Sequence, residues 1–255
     1  MALTVTLANT GSQNGTASTI AVTLGIAFAK DDVLVALVAC DNGGTSGARS
    51  LSTTATLSGE TVTNRRANNH DPGIARAGTT LGIWTSVMGA SKTGTETITF
   101  DKASADYISV ILWKVSSDTV AEQGGVVYGT VGGNAGADAA TTTVTTGTIN
   151  VGDVVIGCTA YEGNTAVTSD TDSSNGSWSA QTTKLADSGT ALTSMTCASQ
   201  YKIQTTTAST QTYDTAFTSS SVQAGYVTFS EPILSYPPIR KLMVNQHAIN
   251  RAANW

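Results

Sequence analysis

Apolar and polar residues alternate in short runs along most of the chain, and Gly, Asn, Asp and Ser separate the runs. The period of two predicts strands near 2–8, 18–24, 32–40, 52–57, 60–63, 80–88, 95–100 and 107–115. No window of helical length carries an i, i+3, i+4, i+7 stripe as clean as these alternations. Many short strands with turn residues between them predict an all-β chain of antiparallel, jelly-roll-like β-sandwiches.

The pattern repeats. Residues 30–43, KDDVLVALVACDNG, and 151–164, VGDVVIGCTAYEGN, each set an acid before an apolar run and another after it. IAVTLGIAFAKD (20–31) parallels TTTVTTGTINVG (141–152), and IWTSVMGASKTGTETITF (83–100) parallels QYKIQTTTASTQTYDTAF (200–217). SVILWKVSS (109–117) parallels VQAGYVTFS (222–230). Segments kept in one order predict two tandem sandwiches: 1–118, a Gly/Ala-rich linker 119–140, 141–232, and an extended C-terminal arm 233–255. One large sandwich, each half a sheet-spanning motif, is the alternative. In the first apolar run Val33, Leu37 and Ala39 on one face and Leu34, Val38 and Cys40 on the other predict cover on both sides, from a neighbouring subunit or the linker. In the second, the face carrying Val155, Gly157, Thr159 and Tyr161 is expected to be only half covered.

Composition sharpens this picture. Ser and Thr exceed a quarter of the 255 residues, and the stiff, β-branched Thr favours strands. A net charge of −5 argues against a nucleic-acid partner. No run approaches the roughly 18 apolar residues of a membrane span, so no membrane partner is expected. The start, MALTVTLANTGSQNG, lacks the basic and long apolar regions of a signal peptide, which predicts synthesis in a cytosol. Cys40, Cys158 and Cys197 have no CxxC spacing and read as buried free thiols.

The last segment differs in kind. Three of the four prolines fall at 232–238, and Pro237-Pro238 predicts an extended path. Beyond them Arg240, Lys241 and Arg251 stand with no acid, beside Leu242, Met243 and Trp255. This basic, apolar arm has room for a short helix over 239–252. It either folds back on the second sandwich or docks on an acidic or apolar partner through Arg240, Lys241, Leu242, Met243 and Trp255.

Candidate chemistry is sparse. His70, in the turn-like NNHDPG, and His247 offer no triad geometry, so no catalytic residue is assigned. DTDSSNG (170–176) resembles a calcium loop, but has an extra residue before Asn-Gly and Gln181 where the twelfth-position Glu belongs. A turn explains it, and no metal or cofactor is expected. Asp32 and Asp153 recur at the same strand entry, which points to a structural role. Arg65, Arg66 and Arg76 form a basic patch in an expected loop, 64–78. Trp84 and Trp113 read as core. Trp178, beside a turn, reads as exposed and, with Tyr161, as an alternative glycan-binding platform.

The runs GIWTSV, TGTETITF, ISVILWKVS and GDVVIGCTAY, with Ser/Gly/Asn-rich loops between them, resemble Ser/Thr/Gly-rich β-sandwich proteins of tailed-bacteriophage virions. Capsid decoration (cement) proteins and fibre or tail accessory proteins belong to that group, and the resemblance spans 15–117 and 141–231. It implies a non-enzymatic virion component, assembled in the host cytoplasm. It also implies a homo-oligomer, a trimer by this likeness, whose terminal arms attach it to the major capsid protein or another virion protein. Many small cement proteins have one domain, whereas this chain repeats its unit.

Overall fold

The computed structural model describes residues 2–15, 19–41, 51–74, 78–102, 107–118, 126–134 and 136–231. The arm, with Arg240, Lys241, Leu242, Met243 and Trp255, lies outside the described residues, as do Arg76 and His247. The fold is all-β, and among the described residues the strands pair antiparallel, with a 3-10 turn at Ala191–Thr193.

The first half supplies eight strands: β1 (Leu3–Asn14), β2 (Thr19–Thr23), β3 (Val33–Asp41), β4 (Leu51–Leu57), β5 (Thr63–His70), β6 (Thr79–Val87), β7 (Thr97–Lys102) and β8 (Tyr107–Ser117). They form an inner sheet, β1-β8-β3-β6-β5, backed by an outer sheet, β2-β7-β4. The second half supplies β9 (Val127–Gly133), β10 (Ala137–Thr145), β11 (Val154–Glu162), β12 (Thr182–Ala186), β13 (Met195–Ile203) and β14 (Thr212–Ser230). These form one continuous six-stranded sheet, β10-β14-β11-β13-β12 with β9 also on β14, whose strand pairings follow those of the first half. β14 does the work of two strands: its first part pairs with β10, as β7 pairs with β2, and its last part joins β9 and β11, as β8 joins β1 and β3. A bridge from Thr168 to Ala216 stands where β4 meets β7.

The repeat holds at the level of single residues. Val33 lies between Val87 and Val115; Val154 lies between Ile203 and Phe229. The sequence parallel over the later strands is one residue out of step. Gln200 takes the place of Trp84, opposite Gly157 as Trp84 is opposite Ala36, because the intervening loops differ in length.

Cover on both faces of β3 comes from within the chain. Leu34, Ala36, Val38 and Cys40 pack on Ile20, Val22, Ile98 and Phe100 of the outer sheet. Val33, Val35, Leu37 and Ala39 pack on Val154, Ile156, Cys158 and Ala160 of β11. The two inner sheets thus share a core, with β3 and β11 starting at one end (the near end) and finishing at the other (the far end). The expected half-exposed face of β11 is corrected too: Val155 is covered by Trp178 and Tyr213, and Tyr161 by Val167 and Phe217. The stretch expected as a linker contains β9 and the start of β10.

The recurring acid at each strand entry closes a turn. Ala29 donates its N–H to Asp32 Oδ2 at 2.7 Å, and Asn150 donates to Asp153 Oδ2 at 2.7 Å. The residue before each acid takes a left-handed conformation, Asp31 at φ 70° and Gly152 at φ 91°, and donates its N–H to the neighbouring strand's end, at Met88 and Gln204. Asp and Gly are residue types that tolerate that region.

Candidate functional site

Two of the places where polar side chains gather among the described residues bear on function. The first is an open depression of about 600 Å³ on the outside of the second half, lined by Thr141, Thr143, Thr168, Asp170, Asp172 and Asp214 among others. Strand alternation turns Val144 and Tyr213 inward, so Thr143 and Asp214 face solvent. The segment read as calcium-like forms one wall. Asp170 is buried; its Oδ1 accepts the N–H of Asp172 at 2.7 Å and its Oδ2 that of Asp214 at 2.8 Å. Asp172 Oδ2 accepts from Lys202 Nζ at 2.8 Å, and that ammonium also lies 5.7 Å from the Trp178 ring. The Lys202 hydrogen bond, followed by the N–H of Ser174, draws the Asp172 carboxyl down to about 2. An ammonium already balances the charge of Asp172, and no group of three or more ligating side chains suited to a metal occurs among the described residues. Hydroxyls and the exposed Asp214 remain, a set suited to hydrogen-bonding a hydroxylated ligand.

The two aromatics proposed for a sugar platform are not available to one. Trp178 is 8% exposed and packs its ring 5.0 Å from that of Tyr213. Tyr161 is fully buried, stacked on Phe217 at 4.9 Å with its hydroxyl bonded to Thr165. A turn signal next to Trp178 suggested exposure, but the bridge from Trp178 to Lys202 folds the indole under the turn. Trp84 and Trp113 are core, as expected, and the three cysteines are buried and outside any disulfide. Burial pushes the Cys158 thiol up to about 12, so it is inert as a nucleophile near neutral pH.

Arg65 and Arg66 lie on β5, not in a loop. Arg65 caps the Tyr128 ring at 4.0 Å and donates Nε–H to Thr85 Oγ1 at 2.7 Å. Arg66 donates to the Asn134 carbonyl at 3.1 Å, and burial lowers its pKa. Both tie β5 of the first half to the 127–134 stretch of the second.

The second place was not singled out in the sequence. At the far end the shared core turns polar. Asp41, Thr79, Glu162, Ser221 and Gln223 occupy inward positions, by alternation from Ala39, Leu81, Ala160 and Val227, and all are buried. Glu162 Oε2 accepts the N–H of Gly78 at 3.0 Å, and Thr79 Oγ1 donates to the Ser221 carbonyl at 2.9 Å, each bond joining the two halves. His70, expected in a loop, ends β5 and contacts Asp138 at 3.2 Å. Burial, with the charges of Asp41 and Asp138, pushes the Glu162 carboxyl up to about 8 against the pull of the Gly78 N–H. The signal was in plain view: Asp41 and Glu162 are the closing acids of the two repeated runs.

The fold defines a class: an antiparallel, all-β double sandwich. Compared with protein-family models, curated proteins and solved structures, the chain matches none.

Proposed function

We propose that the protein is a non-enzymatic structural protein of a tailed-bacteriophage virion that decorates and stabilises the capsid shell. One observation supports this reading above the rest. A body whose Asp32, Asp153, Asp170 and Asp172 are bound to its own backbone and ammonium groups leads at Glu231 into an acid-free, basic and apolar segment. Glu231 accepts from Ser117 Oγ at 2.8 Å, and Ala2 donates its N–H to Asp118 at 2.9 Å, so Ala2 and Glu231 both lie at the near end. The arm, through Arg240, Lys241, Leu242, Met243 and Trp255, binds the major capsid protein, and the bodies associate as a homo-oligomer, a trimer in this reading. A stable interface typically buries about 1,600 Å² in total, and a repeating lattice multiplies weaker contacts through effective concentration.

The test is co-sedimentation with capsids that lack the protein, comparing the full chain with one ending at Glu231. Full-length protein pelleting at fixed stoichiometry, with the truncated form left in solution, is the expected result. Pelleting of neither form removes the capsid reading. The outer depression favours a second reading, a fibre or tail module holding host-surface glycan through Thr143 and Asp214 rather than through Trp178 and Tyr161. Saturable polysaccharide binding, lost in Asp214→Ala, would then be measured.

A further inference from the structure

The two closing acids of the repeated runs meet where the halves meet. β3 and β11 run the same way across the shared core, so equivalent positions face each other and Asp41 and Glu162 come to the same far end. Glu162 has one oxygen on the Gly78 amide of the opposite half and the other, Oε1, buried with no hydrogen-bond partner. Among the described residues around it, the polar groups offer that oxygen no hydrogen bond. Gln223 is fully buried with neither amide atom partnered, and Ser221 Oγ is also buried and unpartnered. β13 meets the acid with the apolar Met195, β3 brings Asp41, and β10 brings Asp138, itself in contact with His70 of β5. The cation that β5 carries inward, Arg66, is bonded to Asn134. An ionised carboxylate with an unmet oxygen in such a place costs far more than a protonated one.

We propose that Glu162, opposed by Asp41, is a protonation-sensitive junction between the two halves, closed while Glu162 holds its proton and loosened when the proton is lost. The sign is fixed by linkage. The folded protein holds this proton up to about 8, whereas a free Glu releases it at 4.5. Stability from Glu162 is therefore full below about 4.5 and falls progressively as the pH rises toward 8. Other groups act in other windows. Asp172, drawn down to about 2, adds stability from acid pH upward and is saturated before pH 5. The buried thiols withdraw stability only above the ordinary thiol range, roughly pH 8.5.

Urea unfolding of the full-length protein from pH 5 to 8, beside Glu162→Gln, tests the junction. The wild type is expected to lose on the order of a hundredfold or more in its folding constant across that window. Glu162→Gln, which keeps an acceptor for Gly78, is expected to stay flat. Asp41→Asn, which keeps Glu162 but removes the opposing charge, is expected to show a shallower loss and serves if the Gln variant fails to fold. Hydrogen exchange over 78–81, corrected for the intrinsic effect of pH, should speed up at pH 8 in the wild type alone. A wild-type curve that is level or rising from pH 5 to 8 overturns the proposal. So does a Glu162→Gln curve parallel to the wild type, or, should that variant not fold, an Asp41→Asn slope equal to the wild type's.

Discussion

Lys202 is wholly enclosed while its partner Asp172 keeps 43% of its side chain in solvent. Taking the ammonium out of water is costly, and the pair holds because the carboxylate is 2.8 Å away and the Trp178 ring lies against the same group. Removing one partner leaves the other as an uncompensated charge. Asp172→Ala is therefore expected to cost about 3 kcal/mol, discounted toward 2 for the carboxylate's exposure. Asp172→Ala combined with Lys202→Met, which fills the space without a charge, should recover most of the loss. Urea unfolding of both variants checks this; equal destabilisation in the two would refute the account. The same residues explain a failure of sequence reading. DTDSSNGSW looks like an exposed loop with a ligand-binding acid pair and a free indole, because a lysine 30 positions away in sequence cannot be seen as its counter-ion.

At the scale of elements, alternation was enough to find β3, β6, β8 and β11, since each buries apolar side chains on regular positions. It placed β5 wrongly. TNRRANNH has no apolar alternation, because its inward residues, Arg66, Asn68 and His70, meet the polar part of the shared core. The glycines of β9 suggest a linker in the sequence, yet they are sites of close approach. A Cβ on Gly132 would lie 2.6 Å from the Tyr226 ring, and one on Gly129 2.4 Å from Thr228 Oγ1. Gly147 has nothing within 4 Å of its Cβ position. A flexible linker would tolerate alanine at Gly132 as readily as at Gly147. Packing predicts a difference: Gly132→Ala should destabilise by about 1–3 kcal/mol, and Gly147→Ala should stay within about 0.5 kcal/mol of the wild type. Thermal unfolding of the two single variants measures the contrast. Indistinguishable melting temperatures would return the stretch to the status of a tether.

For the whole molecule, the repeated pairing order raises the question of whether the halves are separate stability units. Their inner sheets argue otherwise. Leu37, Leu81 and Ile83 of the first half and Ile156, Val227 and Phe229 of the second are all buried in one cluster. Separation would return that whole apolar face to water at roughly 25 cal/mol per Å². Polar bonds cross the same plane, from Trp113 Nε1 to Ser199 Oγ at 3.1 Å and from Ser109 Oγ to the Met195 carbonyl at 2.7 Å. These would be left unmet. The sequence held half of this: β3 is apolar on both faces, which requires cover. It did not name the cover, because strand periodicity reports that a face is buried and not which segment buries it. The consequence is a single cooperative transition, with calorimetric and van't Hoff enthalpies in agreement. Leu37→Ala, at the middle of the shared cluster, should cost about 2–5 kcal/mol and lower the one melting point by several degrees. Hydrogen exchange in β2 of the first half and β10 of the second should rise together in that variant, since neither strand keeps its support when the two halves part. Two resolved transitions, with only the first moved by Leu37→Ala, would mean that each sandwich stands alone and that the contact between them is no more than a docking surface.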